Sequence, residues 1–112
     1  MDKPDLGKTS MGIQPQVAAL LSYALGWLTG LIFYLIEKEN KYVRFHALQS
    51  MVTFGSLTVL SIVLTVIPVI GWTLIPVVYL VELILWVLLM IKAYQGEKFK
   101  LPVAGDIAEK NS

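Results

Sequence analysis

The chain of 112 residues has no cysteine, a single histidine and few charged side chains. The absence of cysteine excludes disulfide bonds, thiolate metal sites and a thiol nucleophile. Charged residues make up 15% of the chain, against roughly a quarter in an ordinary soluble domain. The formal net charge of +1 provides no basic field, which excludes nucleic-acid binding. We expect no metal site, no cofactor and no enzymatic activity.

What the chain has in abundance is apolar side chains, at 56% of the residues. Residues 9–36 contain no charged side chain, and residues 45–81 contain none apart from the titratable His46. About 20 apolar residues suffice to cross the hydrocarbon core of a bilayer. The runs lack the alternation of barrel strands. The composition therefore predicts a helical integral membrane protein.

Local signals divide the long runs into helices. Asn40 is a good N-cap residue, so a helix is expected to begin at Lys41. Pro68 and Gly71 favour a tight turn between two spans. The predicted fold class is all-α, a transmembrane bundle of three helices with a short interfacial C-terminal segment. Its parts are a mobile tail over residues 1–16, a membrane domain over 17–94 with spans at 17–36, 41–67 and 73–94, and a membrane-surface tail over 95–112.

The distribution of lysine and arginine predicts the orientation. With three spans, Lys3 and Lys8 precede the first span on one side, and seven basic residues lie on the other. The positive-inside rule then places the amino terminus outside, and the first loop and the carboxyl terminus in the cytoplasm. Arg44, Lys98 and Lys100 are expected at the membrane surface, where anionic headgroups attract lysine and arginine.

A row of small residues runs along the first predicted span. Ala18, Ser22, Gly26 and Gly30 recur every four residues and form a groove in which another backbone can approach closely. The groove is consistent with two arrangements. It packs against another helix of the same chain, or it mediates association between two chains.

Glu82 lies near the middle of the third predicted span, where an acidic side chain is costly and should face protein or water. Tyr79 and Trp86 share its helix face. One interpretation is a neutral acid that hydrogen-bonds to a neighbouring helix. The other is a proton or cation site with a carboxylate between aromatic walls.

The second predicted span offers partners for this acid. His46, Gln49, Ser50 and Thr53 fall in one sector at 100° per residue. An antiparallel arrangement brings Thr53 and Ser50 to the depth of Glu82. We therefore expect an intramembrane polar network of Glu82, Thr53, Ser50, Gln49 and His46.

Two hydrophilic segments flank the second and third spans. Residues 37–44 mix both signs of charge, which is typical of a solvated turn or of a docking surface. In the tail, basic residues alternate with Phe99 and Leu101. Such a segment is expected to lie on the membrane surface, with the two apolar side chains in contact with lipid.

Several short motifs point to a family. They are Glu37-Lys38, residues 43–50 with the string Arg-Phe-His-Ala-Leu-Gln-Ser, residues 68–72, residues 92–97 and residues 101–106. Together they resemble a family of small uncharacterised prokaryotic membrane proteins. That family is similar to the membrane domain of the small Tic subunit of the chloroplast inner-envelope import translocon. The resemblance implies a plasma-membrane protein connected with protein translocation or with assembly of membrane complexes, and it supplies no catalytic residue.

The expected function is that of a non-enzymatic scaffold, assembly or translocation-associated factor. Its expected partners are the lipid bilayer and either further copies of the chain or a larger membrane complex. The alternative is an oligomeric ion- or cation-conducting protein that uses Glu82 as its charged site.

Overall fold

A computed structural model describes residues 7, 9, 10 and 12–112 of the chain. The elements in this part are helices, listed in chain order: α1 (Pro15–Ala24), α2 (Trp27–Ile36), α3 (Lys41–Thr65), α4 (Ile70–Tyr94) and α5 (Ala104–Asn111). Two of them, α3 and α4, are long and apolar enough to cross a membrane. The predicted all-helical fold is confirmed. A third helix of spanning length is not found in the described residues.

The helices α3 and α4 form an antiparallel hairpin close to the predicted second and third spans. The side chain of Asn40 accepts a hydrogen bond from the backbone nitrogen of Val43, which confirms Asn40 as the N-cap of α3. The chain turns between Thr65 and Ile70. Gly71 allows this turn to be tight, because a Cβ atom there would lie 2.1 Å from the carbonyl oxygen of Leu64.

The predicted first span, residues 17–36, is not one helix. Gly26 has φ 67 and ψ −135, a conformation that side-chain-bearing residues rarely adopt, and it separates α1 from α2. The Thr29 hydroxyl supports the break by accepting from the backbone nitrogen of Leu25 and donating to the carbonyl oxygen of Ser22. Two ten-residue helices therefore replace the predicted span.

These two short helices run antiparallel, so that the chain enters and leaves at one end of the molecule. Both carboxylate oxygens of Glu37, which follows α2, lie 2.9 Å from the backbone nitrogen of Ser10, which precedes α1. The prediction of a mobile tail over residues 1–16 falls partly on residues 1–6, 8 and 11, which lie outside the described residues. Lys3 and Lys8 are among them.

We call the end that contains residues 37–40 the closed end, and the end that contains the turn at residues 66–69 the hairpin end. The molecule measures 49 Å along its longest axis. At the closed end, α1, α2 and α5 pack around the first half of α3 and the second half of α4. The main core is there, with Tyr23, Tyr42 and Phe54 among its buried members.

The tail after α4 folds back onto this core. Phe99 and Leu101 pack against the main core cluster. These side chains therefore contact protein, whereas the tail pattern predicted that they contact lipid. Ala108 of α5 packs with Phe45 and Leu48 of α3 in a second cluster. The C-terminal segment thus belongs to the folded domain.

A sequence motif occurs twice and builds the same local structure. Pro-Val-Ile-Gly at 68–71 and Pro-Val-Ala-Gly at 102–105 each begin a helix. Val69 and Val103 both have φ 66, and the nitrogen of the next residue bonds back to the proline carbonyl oxygen at 2.8 and 2.7 Å. The glycine is needed in both, because a Cβ on Gly105 would lie 2.6 Å from the Cβ of Lys100. The motif therefore specifies a sharp helix start.

Candidate functional site: a buried polar cluster and an acidic pocket

Three polar side chains are fully buried at the centre of the closed end. Tyr23 comes from α1, and His46 and Gln49 come from one face of α3. The Tyr23 Oη lies 2.6 Å from His46 Nδ1, and Gln49 Nε2 donates to the same Oη at 3.0 Å. We call these residues the buried polar cluster. It connects α1 to α3.

The hydrogen bonds specify where the protons lie. Because His46 Nε2 is 2.9 Å from the carbonyl oxygen of Glu97, which can only accept, Nε2 carries a proton. A neutral imidazole with its proton on Nε2 accepts at Nδ1, so the Tyr23 hydroxyl donates to Nδ1 while it accepts from Gln49. This assignment leaves the imidazole neutral, with each ring nitrogen in a hydrogen bond. The cluster is consequently a saturated structural network.

The same cluster holds the C-terminal segment. Gln49 Nε2 also donates to the carbonyl oxygen of Phe99 at 2.8 Å, and Gln49 Oε1 accepts from the backbone nitrogen of Leu101 at 2.8 Å. An amide side chain thus pairs with an extended segment much as a neighbouring strand would. Gln49 and His46 together fix the backbone at residues 97, 99 and 101.

Ser50 and Thr53 have different surroundings from Gln49. The Ser50 hydroxyl donates to the carbonyl oxygen of Gly26 at 2.8 Å and so stabilises the break between α1 and α2. The Thr53 side chain is buried, and its hydroxyl has no hydrogen-bond partner among the described residues. It lines an apolar pocket between α3, α4 and residues 101–104.

These two hydroxyls predict opposite mutational effects. Thr53→Val should increase the free energy of unfolding by about 1 kcal/mol, because it removes an unsatisfied buried polar group. Ser50→Ala should lower it by about 1 kcal/mol at most, because the hydrogen bond from α3 to the Gly26 carbonyl oxygen is lost, while Gly30 and Thr29 still donate to that oxygen. Denaturant titration in detergent would measure both. Equal loss of stability in the two variants would contradict the role of Thr53 described above.

Glu82 lies apart from the buried polar cluster. It lines an open pocket of about 400 Å³ together with Phe54 and Thr58 of α3 and Tyr79 of α4. Trp86 also borders the pocket, and its indole Nε1 donates to the carbonyl oxygen of Tyr23 at 2.8 Å. No hydrogen bond joins Glu82 to another residue in the described part of the chain.

The polar network predicted from the sequence is therefore divided among separate places. His46 and Gln49 are in the buried polar cluster, Ser50 contacts α2, and Thr53 faces the opposite pocket from Glu82. The antiparallel register does bring Phe54 to the level of Glu82. The difference arises because α1 and the C-terminal segment occupy the polar face of α3 and leave no room there for α4.

The row of small residues lies within the folded chain. Ala18, Ser22 and Gly30 are buried, and Gly26 forms the break. A Cβ atom on Gly30 would lie 2.7 Å from the carbonyl oxygen of Ala47 in α3. The groove is thus filled by the backbone of the same chain, the first of the two arrangements considered above.

The basic residues expected at the membrane surface have partners in the protein. The Arg44 guanidinium donates to the carbonyl oxygens of Glu37 and Tyr34 at 2.8 and 3.1 Å, and to the carbonyl oxygen of Ser112 at 3.2 Å. Arg44 therefore connects the end of α2 with the end of α5. In the tail, Lys98 lies over the Phe45 ring, and Lys100 forms ion pairs with Asp106 and Glu109.

Glu37, in the loop of mixed charge, is not among the site residues predicted from the sequence. Glu37 is fully buried and accepts hydrogen bonds from the backbone nitrogens of Ser10, Glu39 and Asn40 and from the Ser10 hydroxyl. Burial alone would raise the pKa of its carboxyl group, but the hydrogen bonds outweigh burial and lower it. The only sequence signal was an acid placed three residues before the Asn40 cap.

The hydrogen bonds of Glu37 predict a pH-dependent contact between Ser10 and the first loop. Because its pKa is lowered by folding, the stabilisation is present above the pKa of the unfolded chain and is lost as pH falls through the folded value. Spin labels at Ile13→Cys and Lys38→Cys should keep a constant separation at neutral pH and move apart in acid, once the pH falls through the lowered pKa of Glu37. In Glu37→Gln the separation should not change with pH. A separation in the parent chain that is constant through the acid range would contradict this role.

Within the described residues, no group of three His, Asp or Glu side chains lies close enough to hold a metal ion. Glu82, His46 and Glu37 each lie in a different environment. What the geometry offers is a neutral buried network, one acidic pocket on the side of the molecule and one buried loop carboxylate.

Comparison with known proteins identifies relatives over nearly the whole chain. A UPF0132 membrane protein of Methanocaldococcus jannaschii is 54% identical over 107 residues, covering 96% of each chain. A second from that organism is 46% identical over 101 residues, covering 90% of this chain and 72% of the relative. A UPF0132 membrane protein of Archaeoglobus fulgidus is 53% identical over 98 residues, covering 88% of this chain and 95% of the relative.

No solved structure matches the chain. The relatives support the resemblance to small prokaryotic membrane proteins, whereas a similarity to the Tic subunit is not shown. The family model described as the magnetosome magnetite crystal formation protein family matches residues 8–108. A match over this length, together with relatives at about half identity, means that the chain belongs to this family of small membrane proteins.

Proposed function

We propose that the protein is a non-enzymatic scaffold of a membrane assembly, anchored in the bilayer by the α3–α4 hairpin. The observation that carries this proposal is the contrast between the buried polar cluster, whose side chains are all hydrogen-bonded, and an open apolar exterior. The buried polar cluster uses its hydrogen-bonding groups to join α1, α3 and the C-terminal segment. Such an interior favours a fixed shape over a path for substrate or ions.

The exterior of α4 is where a partner would bind. Leu80, Leu83 and Ile84 are each more than half exposed, whereas Leu89 of the same helix is fully buried. In lipid, close packing and interhelical hydrogen bonds drive helix association, so this face can contact lipid or another membrane helix. The family description concerns magnetite crystal formation, and for this chain we propose only the assembly role within a membrane.

A photocrosslinker placed on α4 tests this role. Because the chain has no native cysteine, Leu80→Cys and Leu89→Cys give single attachment sites with the same substitution. The assembly role predicts a discrete protein adduct in native membranes from position 80 and a much weaker one from position 89. Mass spectrometry then distinguishes a second copy from another protein. Adducts with lipid alone at position 80 would overturn the proposal.

Ion conduction by an oligomer is the second candidate, and one observation favours it. The Glu82 carboxylate lies in an open pocket beside Tyr79 without a hydrogen-bond partner among the described residues. Cation flux into proteoliposomes that disappears in Glu82→Gln would favour conduction. Absence of flux in the parent chain and in the variant would favour the scaffold.

A further inference from the structure

The molecule is wider at its closed end than at its hairpin end. The break between α1 and α2 lies at the level of Phe54 and Trp86. A Cβ on Gly26 would lie 3.4 Å from the Phe54 Cβ, and Trp86 bonds to the Tyr23 carbonyl oxygen. Beyond this level, α3 and α4 are the only described helices. All five described helices therefore lie in one half of the molecule, whereas only α3 and α4 extend into the other.

The additional pair of helices is short and apolar. Each has ten residues, about 15 Å at the α-helical rise, compared with a hydrocarbon core about 30 Å thick. Neither contains a charged side chain. The exposed apolar side chains of α2 are Trp27, Leu28, Ile32, Leu35 and Ile36. A surface of this kind belongs in lipid, and its length confines it to one leaflet.

Charge identifies which end lies at the headgroups. Residues 45–91 contain no lysine or arginine, whereas the basic residues of the described chain lie in the first loop, at the start of α3, at the end of α4 and in the tail. At the closed end α5 also turns Asp106, Glu109 and Lys110 outward. By the positive-inside rule this end faces the cytoplasm, together with Ser10 before α1 and Ser112 after α5, whereas three spans would have placed the residues before the first span outside.

We propose that this shape makes the protein a membrane wedge that prefers bilayers convex on the side of its closed end. The extra α1–α2 pair adds roughly 160 Å² of cross-section to one leaflet if each helix is about 10 Å wide. The convex leaflet of a curved bilayer has a larger area than the concave leaflet. The wide closed end therefore fits in the convex leaflet, and lipid packing is strained when the closed end lies in the concave one. The partner in this activity is the lipid surface itself, and the activity goes beyond the scaffold role.

Nanotubes pulled from giant vesicles of zwitterionic phosphatidylcholine test the wedge. The full chain with Ser112→Cys carries a fluorophore and inserts in both orientations, and a membrane-impermeant quencher separates the two populations. Molecules with the closed end on the outer, convex leaflet should be enriched in the tube severalfold over those in the reverse orientation. The reversed molecules are the matched control, because chain and lipid are identical.

Equal enrichment of both orientations, or enrichment of the reverse orientation, would overturn the wedge. Its geometric basis is tested separately by labelling single cysteines in sealed vesicles. Ile13→Cys and Ser112→Cys should be labelled from the same side, and Val66→Cys, at the hairpin end, from the other. Labelling of positions 13 and 112 from opposite sides would also overturn it. Neither result depends on finding a protein partner, so the wedge and the scaffold role can fail independently.

Discussion

Replacing Gln49 by leucine should detach the C-terminal segment from the rest of the protein. Gln49 makes hydrogen bonds to Tyr23, Phe99 and Leu101, and leucine can make none of them. The Leu101 nitrogen and the Phe99 carbonyl oxygen would be left without partners in a partly buried place. At about 1–3 kcal/mol for each unsatisfied group, the expected loss is several kcal/mol.

Hydrogen exchange of residues 97–105 and trypsin cleavage after Lys98 would detect the release. Gln95→Leu is the matched control, because the same substitution falls on an exposed residue just after α4. It should leave exchange and cleavage unchanged. If residues 97–105 are as well protected from exchange and cleavage in Gln49→Leu as in the parent chain, the buried polar cluster is not what holds this segment.

The second large effect is expected at Gly30, where even one methyl group has no space. In Gly30→Ala the new Cβ would lie 2.7 Å from the carbonyl oxygen of Ala47 and 3.1 Å from the nitrogen of Met51. Both atoms belong to the α3 backbone and cannot move without shifting the helix. Overpacking of this kind costs about 1–3 kcal/mol, so thermal unfolding in detergent should begin at a lower temperature.

Gly55→Ala provides the comparison for Gly30→Ala. A Cβ at Gly55 would lie 3.8 Å from the Cβ of Trp27, an ordinary contact, and alanine is the better helix former by about 1 kcal/mol. Gly55→Ala should therefore leave stability unchanged or increase it. If Gly30→Ala folds as well as the parent chain but loses a dimer seen by crosslinking, the groove joins two chains and the arrangement described here is wrong.

The features that the sequence predicted well depend on neighbouring residues. Asn40 caps α3 through a hydrogen bond to Val43, three residues away, and Pro68 and Gly71 allow the turn within a few residues. Signals of this range are visible in the order of amino acids. They predicted where α3 begins and where the hairpin turns without knowledge of any distant contact.

The break at Gly26 was not predicted because the hydropathy of residues 17–36 is the same for one continuous helix as for two short ones. Residues 17–36 are as apolar as a spanning helix, and a glycine in such a helix is usually a packing residue. The turn is supported by contacts with distant residues as well as by local hydrogen bonds. The Ser50 hydroxyl and the Trp86 indole donate to the carbonyl oxygens of Gly26 and Tyr23, in addition to the local donors there.

The predicted Glu82 network was misplaced for a related reason. Helical periodicity places His46, Gln49, Ser50 and Thr53 in one sector, but it does not say which element covers that sector. In the structure α1 and the C-terminal segment cover it, and Glu82 of α4 lies beside Phe54 and Thr58 on another face of α3. The candidate site was thus predicted as a set of residues on α3, and its partners became known only from the tertiary contacts.

The buried polar cluster also constrains the order in which the chain can fold during synthesis. Residues 15–36 leave the ribosome first, and Gly30 and Thr29 supply local donors to the Gly26 carbonyl oxygen at their turn. The buried Tyr23 hydroxyl, in contrast, acquires its partners only when His46 and Gln49 have been made. The backbone groups of residues 97, 99 and 101, which His46 and Gln49 bind, are translated later still. The core around the first helix to be translated is therefore completed only after nearly the whole chain has left the ribosome.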